Sequence, residues 1–239
     1  MTTSPVTAKA GPLRLAACWA VHLYTATGVL TAFAALHALF AGELRAAFFW
    51  LYAAVVVDAT DGVFARLADV KRHLPYFDGA KLDDIVDYLT FVAVPIVLLV
   101  ETGLLTGTLG LVAACAALLA SAYRFCHAEA KTADHYFTGF PSYWNIVALY
   151  FYVFQAPPRV VAVLTLILAA LVFAPLRFLY PSRMTSLRGV TVGLGVLWGV
   201  AVAAILLRVP ERAVGLATLS LFYPIYYTLL SFWMQWRGR

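Results

Sequence analysis

The chain has 239 residues, of which 63% are hydrophobic and 12% are charged, and its mean hydropathy is +0.85. So few polar side chains cannot cover the surface of a water-soluble globule, and the composition predicts an integral membrane protein. The net charge of +5 is not concentrated on a soluble domain. We therefore expect the basic residues to set the membrane topology and to contact anionic lipid headgroups, and not to bind nucleic acid.

Apolar stretches separated by short polar or proline-marked breaks predict an all-α, polytopic transmembrane bundle of about eight helices, as one membrane-embedded domain over residues 1–239. The expected spans are 15–40, 46–66, 80–100, 104–125, 143–156, 158–175, 190–208 and 213–234. The fifth and sixth are short, because a crossing takes about 20 apolar residues, and Pro157 and Pro158 divide them. Six or seven crossings therefore remain alternatives.

The basic residues predict the orientation of this bundle. If both termini lie on the same side of the membrane, only four of the 17 Lys and Arg residues fall on the opposite side: Arg45, Arg159, Arg208 and Arg212. Basic residues concentrate on the cytoplasmic side of membrane proteins. We therefore expect both termini and the connection 67–78 to lie in the cytoplasm.

Acidic residues are concentrated in one window, 58–87, which holds seven of the 12 in the chain. Asp58 and Asp61 are three apart, and Asp83 and Asp87 are four apart, so each pair shares one side of a predicted helix. Facing carboxylates repel in a low dielectric unless divalent cations lie between them. Their oxygens suit Mg²⁺, Mn²⁺ or Ca²⁺.

Two classes of protein use such a cluster. One is a cation transporter whose carboxylates, near the middle of the membrane, carry Mg²⁺ or H⁺. The other is an enzyme that binds a phosphorylated substrate at the cytoplasmic helix ends. Gly62, Arg66 and Gly79 accompany the carboxylates, and the chain shows no related halves, so the pattern favours the enzyme.

A spaced signature runs through the acidic window. It reads Asp58-x2-Asp61-Gly62-x2-Ala65-Arg66, then the spacer 67–78, then Gly79-x3-Asp83-x3-Asp87. This pattern resembles the signature of the CDP-alcohol phosphotransferases, membrane enzymes that make phospholipids from CDP-activated precursors. The spacer is four residues longer than in the commoner form. Together with the stretch 130–145, it resembles bacterial members of the family that make phosphatidylcholine.

The resemblance implies a reaction in which the phosphatidyl group of CDP-diacylglycerol passes to choline and CMP is released. It also implies a site on the cytoplasmic face of a bacterial inner membrane and two ions, Mg²⁺ or Mn²⁺. The implied metal ligands are Asp58, Asp61, Asp83 and Asp87, and the last is also the implied general base. Serine, inositol or glycerol phosphate as acceptor, and a homodimeric assembly, remain alternatives.

The resemblance assigns further residues to the substrates. Gly62, Ala65, Arg66 and Gly79 are expected beside the CDP diphosphate. Choline has no ammonium hydrogens, so its site needs aromatic faces and a carboxylate. The candidates on the predicted cytoplasmic segment are Glu129, Tyr136, Tyr143 and Trp144; an interfacial aromatic belt is the alternative. We expect Asp78 to cap the third predicted helix.

Overall fold

The computed structural model describes residues 11–127, 136–179, 184 and 187–237. These residues are helical apart from short connections, one π-helical turn and two three-residue strands. The helices are α1 (Pro12–Phe40), α2 (Leu44–Leu67), α3 (Val70–His73), α4 (Gly79–Asp87), α5 (Val94–Glu101), α6 (Gly107–Cys126), α7 (Trp144–Val153), α8 (Pro158–Leu171), α9 (Arg188–Arg208), α10 (Val214–Ser220) and α11 (Phe222–Arg237). The π-helical turn is Tyr88–Ala93, and the strands are β1 (Tyr136–Thr138) and β2 (Arg177–Leu179).

Each of the eight predicted segments is helical, which confirms the all-α prediction, although three details differ. The segment predicted as 80–100 is α4, the π-helical turn and α5 in succession. The segment predicted as 213–234 is interrupted at Leu221, between α10 and α11. The connection 67–78 contains the single turn α3, which begins after Asp69 in a left-handed conformation.

The distribution of apolar side chains is that of a membrane protein. Five helices are long and apolar enough to cross a bilayer: α1, α2, α6, α9 and the stretch Val214–Trp236. Their outer faces carry large exposed residues such as Phe33, Leu119 and Leu219. Small residues such as Ala35 and Ala117 are fully buried instead. Large apolar side chains that face lipid, with small residues between the helices, are typical of integral membrane bundles.

Close helix packing places the acidic helices beside one another. Both α2 and α4 contact α1. A Cβ on Gly28 of α1 would lie only 2.3 Å from Cγ1 of Val86 on α4, so the missing side chain lets α4 approach. The two carboxylate-bearing helices are therefore held against the same neighbour.

A two-stranded antiparallel ribbon was not predicted. Tyr136 pairs with Leu179 and Thr138 with Arg177, so the chain entering α7 is joined to the chain leaving α8. Gly139 follows the first strand at φ +77°, and a Cβ there would lie 2.0 Å from the carbonyl oxygen of Val172. Its N–H donates to the carbonyl of Leu176 at 2.7 Å. This contact requires glycine.

Candidate active site

Three carboxylates from two helices converge. Asp58 on α2 and Asp83 and Asp87 on α4 each offer an oxygen atom, and these atoms lie within 4.8 Å of one another. All three side chains are half-buried. The four-residue step between Asp83 and Asp87 places both on one face of α4, as the sequence predicts, and that face is turned to α2.

The group fits a divalent cation. At an effective dielectric of about 20, two like unit charges 4.8 Å apart repel by about 3 kcal/mol. Oxygens on opposite sides of an ion are about 4.8 Å apart for Ca²⁺ and about 4.2 Å apart for Mg²⁺. The carboxylates are therefore already within, or close to, the spacing that a hard cation requires, and a bound cation would offset their repulsion.

Asp61 is not among the three converging carboxylates. It is buried, with 7% of its surface exposed, and its Oδ2 accepts a hydrogen bond from Oγ1 of Thr25 at 2.9 Å. Thr25 is itself buried on α1. A carboxylate held in this way has a fixed direction, and Thr25 is a neighbour that the acidic motif did not reveal.

The side chain of Arg66 turns back along α2 over Gly62. A Cβ on Gly62 would lie 3.3 Å from Nη1 of Arg66, and Arg66 is exposed. Asp58, Gly62 and Arg66 are each four residues apart, so the guanidinium lies on the helix face that carries Asp58. Ala65 packs against the cluster of Cys18, Val70 and Leu74, and its place beside the CDP diphosphate stays a prediction.

Gly79, at the start of α4, is covered by a histidine. A Cβ on Gly79 would lie 2.5 Å from Cε1 of His22. The His22 ring lies 4.4 Å from the ring of Phe77 and is buried. The glycine therefore makes room for His22. Just before it, Oδ1 of Asp78 accepts a hydrogen bond from the backbone N–H of Lys81 at 3.1 Å, which confirms the predicted cap.

We expect Gly79→Ala to lower the thermal stability of the detergent-solubilised protein. The added methyl group overlaps His22, and overpacking of this kind costs about 1–3 kcal/mol. In a His22→Ala background the same change should cost clearly less, because the overlapping ring is gone. Gly189→Ala is the matched control, since a Cβ there meets nothing within 4 Å. Equal losses in both backgrounds would contradict this packing role.

Arg124 is a component of the site that sequence reasoning did not single out. It lies in the last turn of α6 and is 6% exposed. Its guanidinium interacts electrostatically with Asp87 and Asp84, and with the hydroxyl groups of Tyr143 and Tyr227. An arginine at the end of an apolar helix commonly extends its guanidinium to the membrane–water interface. Its position in the sequence therefore did not indicate that it is buried near α4.

The predicted choline residues occupy different positions. Glu129 and the side chain of Tyr136 lie outside the described residues. Trp144 is 0% exposed, belongs to the main apolar core, and donates from Nε1 to Oγ of Ser121 at 2.9 Å. Its assignment to choline stays a prediction, and complete burial weighs against it. Tyr143 is half-buried, and its ring centroid lies 6.0 Å from that of Phe91.

The bundle and its carboxylates define an integral membrane protein with a candidate divalent-cation site between two of its helices. Residues 20–176 match the family model described as CDP-alcohol phosphatidyltransferase. The chain belongs to this family, which confirms the resemblance read from the signature. It is therefore a transferase, and the cation-transporter alternative is not favoured.

Curated relatives resemble the chain over most of its length. A protein of Pseudomonas aeruginosa named phosphatidylcholine synthase is 35% identical over 237 residues, which cover 98% of this chain and 100% of the relative. A protein of the same name from Legionella pneumophila is 38% identical over 224 residues, covering 91% and 88%. Another, from Borreliella burgdorferi, is 28% identical over 230 residues, covering 95% and 98%.

Proposed function

We propose that the chain transfers the phosphatidyl group of CDP-diacylglycerol to choline, giving phosphatidylcholine and CMP, and that residues 1–239 act as one domain. Choline is proposed as the acceptor because the chain is similar to relatives named phosphatidylcholine synthase. In one case this similarity extends over 98% of the chain. The carboxylates of Asp58, Asp83 and Asp87 supply the site that this chemistry needs.

The same carboxylates would hold the cofactor, which we propose to be two ions, Mg²⁺ or Mn²⁺. Asp58, Asp83 and Asp87 converge as ligands, and Asp61, fixed by Thr25, is the fourth. When bound, such ions neutralise a diphosphate and offset the charge that develops on the leaving group. The all-oxygen donor set suits these hard cations.

In the proposed reaction the hydroxyl oxygen of choline attacks the phosphorus of the phosphatidyl group. The bond from that phosphorus to the bridging oxygen of the diphosphate breaks, and CMP leaves with the electron pair. The hydroxyl proton passes to the carboxylate of Asp87, at the end of α4. Arg66, turned over Gly62 on the face of α2 that carries Asp58, offers a planar donor for a phosphate of the CDP group.

Choline would bind on the side of Asp87 that faces Arg124 and Tyr143. The charge of Asp84 acts on Arg124 together with that of Asp87, so the guanidinium is compensated and repels an incoming cation less. The ring of Tyr143 then supplies an aromatic face for the quaternary ammonium. Glu129, Tyr136 and Trp144 remain the further candidates from the sequence.

We also propose that the site faces the cytoplasm at the bacterial inner membrane. Most Lys and Arg residues fall on the predicted side of the termini and the acidic helix ends. The relatives described above are bacterial. Choline and CMP are water-soluble, so a site at the cytoplasmic helix ends would exchange them without crossing the bilayer.

Expression in a bacterial host that makes no phosphatidylcholine tests this function in a membrane. Cells supplied with choline should accumulate phosphatidylcholine in their lipid extract, and cells that carry Asp83→Asn should not. The control is immunodetection of both proteins in the membrane fraction. Membrane-inserted wild-type protein without phosphatidylcholine would contradict the proposal.

A further inference from the structure

The C-terminal helix lies outside the part of the chain that matches the family model, residues 20–176, yet it contacts the candidate site. Tyr227 on α11 is half-buried, and its hydroxyl donates to the carbonyl oxygen of Leu179 at 2.8 Å. The hydroxyl is also hydrogen-bonded to that of Tyr143. Tyr227 therefore connects the end of β2 to a residue at the start of α7.

Tyr143 contacts both this helix and the π-helical turn that follows α4. Arg124 interacts electrostatically with Tyr143 and Tyr227, and also with Asp87 and Asp84. The ring of Tyr143 also approaches Phe91, in the π-helical turn that follows Asp87. Tyr143 is thus hydrogen-bonded to α11 and packs against Phe91, four residues after the proposed general base Asp87.

We propose that Tyr227 is a positioning residue for the acceptor: its hydroxyl fixes the ring of Tyr143 beside the choline pocket, so α11 contributes to acceptor selectivity. This inference rests on the proposed function. A tyrosine side chain tethered at its hydroxyl keeps one ring orientation, whereas an untethered ring turns about its side-chain bonds. Attraction of a quaternary ammonium depends on the ring face, so loss of the tether should weaken choline binding and leave binding of CDP-diacylglycerol unchanged.

Tyr227→Phe tests the proposal because it removes one oxygen and keeps the packing of the ring. We expect the KM for choline to rise about two- to tenfold, as for loss of the hydrogen bond to Tyr143, with the KM for CDP-diacylglycerol unchanged. Tyr143→Phe breaks the same hydrogen bond from the other partner and should give the same result. The double variant should add nothing to either single change.

Tyr226→Phe is the matched control on the same helix. The Tyr226 hydroxyl is hydrogen-bonded to Oγ1 of Thr191 at 2.9 Å, so this change also removes a partly buried tether but should leave the KM for choline unaltered. Additive effects of Tyr143→Phe and Tyr227→Phe, an unchanged choline KM in both, or equal rises in both KM values would overturn the inference. Wild-type protein that forms no phosphatidylcholine would instead contradict the proposed function.

Discussion

Asp83→Asn is expected to abolish phosphatidyl transfer while leaving the protein folded. Asp83 lies one turn from Asp87 on α4, and its carboxylate oxygen lies within 4.8 Å of those of Asp87 and Asp58. An amide offers one neutral oxygen in place of an anionic carboxylate, so a cation held there loses a ligand and a negative charge. Initial rates over a range of Mn²⁺ concentrations, with paramagnetic resonance of bound Mn²⁺, would measure activity and occupancy on one sample.

The control for that variant is Asp69→Asn, which lies outside the signature. Asp69 is exposed and forms a surface ion pair with Arg72 at 3.7 Å, a contact of small energetic value. Its activity and Mn²⁺ binding should match the wild type. Full turnover of Asp83→Asn, or full turnover of the wild type in excess chelator, would contradict a metal site in this cluster.

Asp87→Asn is expected to reduce kcat about 10²- to 10⁴-fold, the range for loss of a general base. The KM for CDP-diacylglycerol should change much less, because a base acts in the transition state, whereas the donor is held by several other groups. Steady-state kinetics with each substrate varied in turn would separate these effects, and binding of CDP-diacylglycerol measured without choline would support the separation.

Two outcomes would assign Asp87 differently. If affinity for CDP-diacylglycerol fell as far as kcat, Asp87 would be a metal ligand alone. If kcat fell less than tenfold, another group would accept the proton. Asp84→Asn is an informative neighbour, because Asp84 acts on Arg124 and lies off the face shared by Asp83 and Asp87. We expect it to raise the KM for choline without a comparable loss of kcat.

The helices and the grouping of the acidic side chains could be predicted because each depends on local sequence. A long apolar run makes a membrane helix wherever it occurs, and residues four apart on a helix share a face. The signature spacing therefore indicated that Asp83 and Asp87 act together. The convergence of α2 and α4 was also expected, because both helices carry carboxylates and a divalent cation needs ligands from both.

The features that sequence reasoning missed depend on contacts between distant segments. Nothing in the run around Gly79 indicates that His22, on another helix, fills its missing side chain. The pairing of β1 with β2 joins segments about 40 residues apart, and three-residue strands carry no periodic signal. The burial of Trp144 against Ser121 likewise depends on how α6 and α7 meet.

The positions of Arg124 and Tyr227 near the candidate site were also not predicted from the sequence. Arg124 lies at the end of a predicted span, where a membrane-interface role is the ordinary interpretation of the sequence. Tyr227 lies within the predicted span 213–234, where nothing in the sequence distinguishes it from the neighbouring tyrosines. Only the packing of α6, α7 and α11 brings their side chains together with Tyr143. The proposed acceptor side of the site was therefore harder to predict than the carboxylate cluster, because no single stretch of the chain contains it.

The most direct test of the central claim uses purified protein in detergent with CDP-diacylglycerol and a divalent cation. Radiolabelled choline, serine, inositol and glycerol phosphate are supplied in parallel, and labelled lipid and CMP are both quantified. We predict labelled phosphatidylcholine and CMP in equal amounts with choline, at a rate far above that with the other acceptors. Labelled lipid formed chiefly from serine, inositol or glycerol phosphate, or CMP release without any labelled lipid, would contradict the proposed transfer to choline.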